Sequence, residues 1–346
     1  MLLEGIFLPL TTPFHPDGRV ALRKLEHNVA RYAKTPAAGM LVLSRIGEAG
    51  GLTDDERHAV VRVAIAAASD DKVMIAVVGA ESVFATLALA AVAASAGYDA
   101  VAVSMPRICS DETMRDEVLT YFRAVADQVA LPVLLLSQAG QPLDAQTVAA
   151  LALHQNIIGL IDEASTPQRV AEFRSATTGV SREVTVTTTF AAVTARMLKH
   201  VDTGNGFVSL ASLTAGVGVA GAPVTQALKT RVKRVGFQII AGSTATMLDS
   251  WGAGAVGAVP ALSAAAPQAC CEVWQAYKDG DQGLAEEKQH RIHDVGLRME
   301  QPDGLPALKY GCDLNGYFGG RTRLPLLALT AGQRDAVEAA LFSLKN

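Results

Sequence analysis

Two adjacent carboxylates, Asp162 and Glu163, stand at the end of the apolar run 157–161. Neighbouring residues of a strand point to opposite sides, so at most one of the two acids faces the inside of the protein. A carboxylate held there with an arginine nearby could act as a general base, provided that burial raises its pKa. These two residues are therefore the first candidates for chemistry.

The alternative role for these acids is the start of a helix. Ser165 and Thr166 follow them, and Pro167 stands at or near the first helical position before "QRVAEF". Hydroxyl and acidic residues before a proline are typical of a capped first turn. We interpret Glu163 as part of that turn and leave Asp162 as the candidate catalytic residue.

Polar residues that follow other apolar runs make up the candidate substrate-binding set. Its members are Ser44, Arg45, Gly47, Glu48, Arg107 and Ser137. A guanidinium can bind a carboxylate through two parallel hydrogen bonds, which favours Arg45 or Arg107 as the anchor of a small anion. Alternatively, Arg45 pairs with Glu48 or Glu163 and closes the pocket, because charge at such a place is not by itself functional.

The elements that must position these residues repeat along the chain. Short β-rich runs alternate with Ala- and Leu-rich stretches of helical period, which is typical of βα units around a parallel sheet. Thr53 and Glu56 predict a capping box at the start of one helix. The runs predicted as strands are 5–11, 39–44, 72–79, 99–105, 132–138, 157–161, 237–242 and 255–261. We predict an α/β protein with a (β/α)8 TIM barrel, in which polar residues gather at the C-terminal ends of the strands.

Two regions fall outside this repeat. Residues 176–235 interrupt the sixth βα connection with "EVTVTTTF", the helical "AAVTARMLKHV" and "GFVSLASL". We interpret them as an insertion, either packed on another surface or forming a lid over the mouth; the alternative is that one piece is a true barrel strand. Helices continue after the eighth strand, so we predict a barrel over 1–265 and a C-terminal helical region over 266–346.

Composition argues against several classes of protein. The net charge is −4, the sequence pI is about 6.0 and the mean hydropathy is +0.25, and the lack of a long basic block argues against a nucleic-acid partner. Four cysteines without C-x-x-C spacing favour reduced thiols in the cytoplasm. The seven histidines do not cluster at strand ends, so we predict neither a metal nor a cofactor. We also expect no leader peptide and no membrane-spanning segment.

A series of short motifs runs along nearly the whole chain outside 176–235. The motifs are "LPLTTPF" with "DGRV", "GE" with "LTDDER", "AGYDAVAVSMP", "LPVLLL", "AGAVGAVPALSAAAPQ" and "LPALKYGCDLNGYFGGRTRLPL". In this order they resemble the dihydrodipicolinate synthase and N-acetylneuraminate lyase family. The resemblance implies a (β/α)8 barrel, usually a tetramer, that acts on pyruvate or related 2-oxo acids. It also implies a Schiff-base lysine at the tip of the sixth strand.

The chain departs from this resemblance where the chemistry would lie. The substrate turn reads Ser44-Arg45-Ile46-Gly47-Glu48, which keeps Gly-Glu but loses two hydroxyl residues. Leu136-Ser137 stands in place of a Tyr-Asn pair, and Pro106-Arg107-Ile108 in place of Pro-Tyr-Tyr. The lysine position falls on Ile161 or Asp162. Neither side chain can form an imine, so the Schiff-base mechanism is predicted to be lost.

The lysines elsewhere in the chain do not follow a strand tip. We interpret Lys72, Lys199, Lys229, Lys233 and Lys309 as ordinary solvated lysines. The expected ligand is a small 2-oxo or related carboxylate, bound by a homo-oligomer that is a tetramer or dimer by resemblance. Two functions stay open: altered acid/base lyase chemistry, or a non-catalytic homologue that binds a metabolite or a partner. A conventional aldolase is disfavoured, because several separate polar positions are changed together.

Overall fold

A computed structural model describes residues 1–109, 112–202, 228–301 and 304–344 of the chain. Its strands are β1 (Gly5–Pro9), β2 (Gly39–Val42), β3 (Val73–Val77), β4 (Ala100–Ser104), β5 (Val133–Ser137), β6 (Ile157–Asp162), β7 (Arg182–Thr187), β8 (Thr230–Val235), β9 (Gln238–Ala241) and β10 (Gly257–Ala258). All except β7 and β8 pair in parallel and close into a barrel in the order β1-β2-β3-β4-β5-β6-β9-β10. The prediction of a (β/α)8 barrel is therefore confirmed, and its eight strands are the eight predicted from the sequence.

Helices follow the strands around the barrel and continue beyond it. They are α1 (Leu22–Tyr32), α2 (Asp54–Ala67), α3 (Val83–Ala96), α4 (Arg115–Gln128), α5 (Ala145–Ala152), α6 (Pro167–Ala176), α7 (Ala195–Asp202), α8 (Met247–Gly252), α9 (Pro267–Lys278), α10 (Gln282–Glu300), α11 (Gly304–Leu314) and α12 (Ala331–Leu341). The capping box predicted at Thr53 and Glu56 starts α2. Thr166 caps α6 and Pro167 is at its N-terminus, as predicted. No helix in the described ranges is long and apolar enough to cross a bilayer.

Two buried layers explain why the barrel strands are almost continuously apolar. One apolar cluster fills the barrel interior and includes Phe7, Ile75, Leu136 and Ile161. The larger cluster lies between the strands and the surrounding helices, and the alternate strand residues, such as Leu135, belong to it. Parallel strands covered on both faces bury every side chain. This alternation also fixes which side chains at a strand tip point into the barrel.

The described part of the insertion lies at the N-terminal end of the barrel. Strands β7 and β8 form an antiparallel two-stranded sheet, in which Val184 and Val186 pack on Leu2 before β1. After β7, the backbone N–H of Ala195 donates to Asp99 Oδ1 at 3.1 Å, just before β4. These contacts are opposite the mouth, so these parts of the insertion are not a lid over it. The predicted strand "GFVSLASL" lies outside the described residues, and the strand that pairs with β7 is instead the basic segment of β8.

The C-terminal helices pack on one side of the barrel and on its loops. Helix α9 packs against α10 and β1, and α11 packs against α12. The segment after α11 is tied to the mouth by Arg323, whose guanidinium donates to Glu56 through two 2.7 Å hydrogen bonds and to the carbonyl of Gly51 at 2.7 Å. The boundary between barrel and helical region near residue 265 stays a prediction.

Candidate active site

A cavity of about 400 Å³ opens at the C-terminal end of the strands. Its walls include Val77, Ser104, Leu136 and Gln138. Leu136 belongs to the interior cluster and Val77 packs against it, so the cavity continues the space inside the barrel. Catalytic groups of TIM barrels lie at this end. Arg45 and Arg107 from the predicted substrate-binding set line the cavity, together with Arg57 and Glu81.

Strand register decides the orientation of the residues at the tip of β6. Ile161 packs in the barrel interior, so Asp162, the last residue of β6, must point away from the axis. Ile161 is one of the two residues onto which the resemblance places the lysine. Glu163 follows β6 in a turn, and its contact with Arg45 puts it on the mouth side.

The Asp162 carboxylate is buried between β6 and the helices. Its Oδ1 accepts from Ser137 Oγ at 2.8 Å, and Arg169 of α6 donates to both oxygens, at 2.9 and 3.1 Å. Leu143 closes this network, because its N–H donates to Ser137 Oγ at 3.1 Å. With 0 % exposure and three donors, Asp162 is positioned to hold α6 on the barrel. This geometry does not support the catalytic role proposed for it from the sequence, since the carboxylate does not reach the cavity.

Glu163 forms a much looser contact across the mouth. Its Oε2 lies 3.8 Å from Arg45 Nε, and the N–H of Ala139 donates to the same oxygen at 3.4 Å. Burial raises the pKa of the Glu163 carboxyl and the charge of Asp162 adds to that effect, while Arg45 acts in the opposite direction. Since Thr166 caps α6, Glu163 is not the capping residue. It is the carboxyl at the mouth whose environment suits proton transfer.

A second ion pair at the mouth involves Glu48 and Lys309. The Lys309 ammonium donates to Glu48 Oε1 at 2.6 Å and to the carbonyls of Thr12 and Arg321 at 2.8 Å each. Its side chain is 0 % exposed, so the interpretation of Lys309 as a solvated lysine is wrong. Burial lowers the pKa of this ammonium and Glu48 acts in the opposite direction. All three N–H bonds are used, and Lys309 does not line the cavity.

Comparison with known proteins agrees with this architecture. The model of the dihydrodipicolinate synthetase family matches residues 2–217 and 207–344. The chain belongs to that family. A 4-hydroxy-tetrahydrodipicolinate synthase from Acidiphilium cryptum is 26% identical, over 99% of this chain and 99% of its own. An L-threo-3-deoxy-hexylosonate aldolase from Hypocrea jecorina is 27% identical, over 97% and 94%.

Solved structures share the fold at lower identity. The dihydrodipicolinate synthase of Bacillus anthracis superposes with a TM-score of 0.78 at 19% identity and covers 100% of both chains. A prophage protein of the dihydrodipicolinic acid synthase family from E. coli K12, solved in complex with pyruvate, gives 0.77 at 21% identity and covers 99% of both chains. These neighbours share the (β/α)8 barrel fold of this chain.

Contacts of its own backbone and of Glu48 fix the turn formed by residues 44–48 after β2. Thr12 Oγ1 donates to the Gly47 carbonyl at 2.7 Å, and a Cβ on Gly47 would lie 3.0 Å from the carbonyl oxygen of Leu10. Glu48 has a φ of +53°, held by its ion pair and by the N–H of Arg323 at 2.8 Å. Glu48 and Gly47 thus shape the turn, while Arg45 is the turn residue that enters the cavity.

The remaining predicted site residues lie in different environments. Ser44 is buried and its hydroxyl has no hydrogen-bond partner within the described residues. Ser137 belongs to the Asp162 network. Arg107 lines the cavity but is 85% exposed and pairs with Glu81 at 2.8 Å. Arg45 is therefore the member of the predicted set that combines access to the cavity with a weak ion pair.

Lysines other than Lys309 were also predicted to be solvated, and not all of them are. Lys72 is buried at the N-terminal end of β3, where its ammonium donates to the carbonyls of Thr35 and Ala37 at 2.9 Å each. The interpretation of Lys72 as solvated is therefore wrong. Its partners are backbone carbonyls of the loop before β2, and the sequence around Lys72 gives no sign of them. Lys233 lies on β8 and pairs with Glu4 at the opposite end from the mouth. The side chain of Lys199 lies outside the described residues.

Sequence reasoning missed one carboxyl of the mouth, Glu300. It is the last residue of α10 and is held by the loop after β9, where Ser243 Oγ donates to Oε2 at 2.9 Å and Thr244 N–H donates to Oε1. Burial raises its pKa, and Arg45 is among the groups that oppose this shift. No local signal in "GLRMEQPDG" marks this residue, because its partners are set by the packing of α10 on the barrel.

Proposed function

We propose that this chain is a lyase of the dihydrodipicolinate synthetase family that binds a small 2-oxo or related carboxylate without forming an imine. The observation that carries the proposal is Arg45, which lines the cavity and has a 3.8 Å ion pair with Glu163 as its charged contact among the described residues. A ligand carboxylate can form shorter, bidentate hydrogen bonds with that guanidinium. The complex of a structural neighbour with pyruvate supports a ligand of this class.

The reaction step that the residues at the mouth favour is a proton transfer. A 2-oxo acid held at Arg45 would place its carbonyl and the adjacent carbon beside Glu163. A carboxyl with a raised pKa can remove a proton from that carbon and return it near neutral pH. Among the described residues that line the cavity there is no lysine, so we assign no role to an imine. Glu163 is not part of that lining, but it contacts Arg45, which is. We therefore assign the proton transfer to Glu163.

Two measurements on the purified protein test this function. We expect exchange of the C3 protons of pyruvate for deuterium, followed by proton NMR, and no mass increase after borohydride treatment with pyruvate. Arg45→Gln should slow the exchange at least about tenfold by removing the bidentate contact. Arg19→Gln is the matched control, because Arg19 is 81% exposed. A borohydride-stabilised adduct would restore the conventional aldolase mechanism.

A non-catalytic homologue is the second candidate. It is favoured by the Asp162, Arg169 and Ser137 network, which uses the polar groups at the tip of β6 for hydrogen bonds within the protein. Isothermal titration with a panel of 2-oxo acids separates the two functions. Binding heat without C3 exchange supports binding alone, whereas binding heat together with C3 exchange supports catalysis.

A homo-oligomer, a tetramer or dimer, stays part of the proposal. Phe84 is 86% exposed and Ile108 is 71% exposed, both near the mouth after β3 and β4. Large apolar side chains on a surface are typical of contacts between subunits. Light scattering of the purified chain gives its mass and so tests this expectation. The cytoplasmic location predicted from the sequence is a separate prediction.

A further inference from the structure

Glu300 and Glu163 share one corner of the mouth. Gly242, which links β9 to the Glu300-binding loop, donates its N–H to the Asp162 carbonyl at 2.9 Å. A Cβ on Gly242 would lie only 2.6 Å from Glu163 Cα, and the next residue, Ser243, donates to Glu300. The C-terminal helix α10 thus brings a second, partly buried carboxyl to the tip of β6.

Arg45 approaches this corner from the opposite wall. It contacts Glu163, and its charge acts on the pKa of both Glu163 and Glu300 in the direction opposite to burial. On its other side the guanidinium lines the cavity. Arg45 therefore lies between Glu163 and the space for a ligand, and its charge also acts on Glu300.

We propose that Glu163 and Glu300 form a carboxyl pair on Arg45 that takes up a proton when a ligand carboxylate binds to that guanidinium. The ligand replaces part of the interaction between Arg45 and the pair. One carboxylate of the pair then loses stabilisation in a buried place and takes a proton from solvent, forming an O–H bond. This inference rests on the proposed function, since it takes a small carboxylate as the ligand.

The proton gained in this way gives the site an acid beside the ligand. When the C3 proton of a bound 2-oxo acid moves to the ionised member of the pair, the protonated member can donate its proton to the carbonyl oxygen. The enol forms, one C–H and one carboxyl O–H bond break, and two O–H bonds form. The total charge of the pair is unchanged, which avoids building up an enolate in a buried place.

Among the described residues, Asp162 and Cys270 are two further titratable groups close to the pair. Asp162 is held by Arg169 and Ser137. Cys270 of α9 faces Glu300, and burial raises the pKa of its thiol well above its usual range, so it stays neutral at physiological pH. The proton taken up on ligand binding is therefore assigned to Glu163 and Glu300.

Titration calorimetry with pyruvate in buffers of different ionisation enthalpy measures the protons taken up on binding. We expect net proton uptake on ligand binding by the native chain, at the pH values where the carboxyl pair titrates. Glu300→Gln keeps an acceptor for Ser243 and should reduce the uptake at least about twofold. Glu287→Gln, an exposed position on the same helix, should leave it unchanged. Equal uptake by the native chain and Glu300→Gln would overturn the proposal.

A second measurement needs no ligand and separates this inference from the proposed function. Carbon-13 NMR of labelled glutamate carboxyls follows the titration of Glu300, assigned by its loss in Glu300→Gln. Arg45→Gln removes the cation and should raise the pKa of Glu300 further. A titration of Glu300 that is unchanged by Arg45→Gln would overturn the carboxyl pair even where pyruvate binds. Failure of pyruvate to bind, with the expected shift present, would instead contradict the ligand class of the proposed function.

Discussion

Two kinds of ion pair meet at the mouth of this barrel. Lys309 with Glu48 and Asp162 with Arg169 are buried pairs whose partners are also hydrogen-bonded to neighbouring groups. The pair of Arg45 with Glu163 is 3.8 Å long, and the Arg45 side chain is 43% exposed. An ion pair whose members have further hydrogen-bond partners fixes the strands and helices that carry it. A long ion pair such as Arg45 with Glu163 leaves the cation free to bind another anion. The mouth therefore separates groups that hold the barrel from groups that can meet a ligand.

The largest expected effect follows from breaking the Lys309 pair. Lys309→Met leaves Glu48 charged and buried without its partner, which typically costs about 3–5 kcal/mol of the free energy of unfolding. Urea unfolding measures the loss. Lys278→Met is the control, because Lys278 is 47% exposed and lies 3.5 Å from Glu4; its cost should be below about 1 kcal/mol. Equal costs for the two variants would contradict the structural role of Lys309.

A somewhat smaller loss is expected for Asp162→Asn. The amide keeps an acceptor for Ser137 but removes the charge that faces Arg169, whose side chain is 26% exposed. Loss of charged hydrogen bonds of this kind costs about 2–3 kcal/mol. Unfolding by urea measures it, with the exposed pair variant Asp127→Asn as the control. A loss of C3 exchange without loss of stability would return Asp162 to the catalytic role first predicted for it.

The pH dependence of stability tests the comparison between the two kinds of ion pair. The hydrogen bonds from Arg323 lower the pKa of Glu56 to about 2. A lowered pKa means that Glu56 contributes stability above its usual value of 4.5, and that this contribution is lost as the pH falls toward 2. Since the Glu56 side chain is 25% exposed, we expect about 1 kcal/mol. Glu56→Gln should therefore be less stable than the native chain at pH 6, and the difference should shrink toward pH 3 in urea unfolding.

The contribution of Glu163 to stability depends on pH in the opposite direction to that of Glu56. Its raised pKa means that its contribution to stability is present at low pH and falls as the pH rises through the folded-state pKa. A Glu163→Gln variant should therefore gain stability relative to the native chain as the pH rises. If the stability of the Glu56 and Glu163 variants, relative to the native chain, changed with pH in the same direction, the distinction between structural ion pairs and the Arg45–Glu163 pair would be wrong.

The sequence predicted the barrel well because its signal is local. Each barrel strand is buried on both faces and reads as an apolar run, as in Leu134 to Leu136. The exposed strand β8 was missed, because Val232 is 68% exposed and its basic neighbours resemble a solvated charge run. A hydrophobic pattern cannot detect a strand that buries little.

The candidate site was predicted only in part because its contacts are distant in sequence. Arg45 was found from its place after an apolar run, whereas Lys309 is paired with a residue 261 positions earlier. Its helix pattern gives no sign of that partner. The choice between Asp162 and Glu163 required the strand register, since one residue of shift exchanges inside and outside. Glu300 reaches the mouth only through the packing of α10.

The smallest change in stability is expected for Arg45→Gln, and that is what makes it informative. The guanidinium has a weak ion pair and substantial exposure, so its loss should change the free energy of unfolding by less than about 0.5 kcal/mol. Pyruvate binding should nevertheless weaken at least about tenfold, because the ligand carboxylate loses its anchor. Urea unfolding and titration calorimetry on the same sample measure the two effects. Strong destabilisation by Arg45→Gln would instead show that Arg45 has a structural role like that of Lys309 and Asp162. Arg45 would then not be available to bind a ligand.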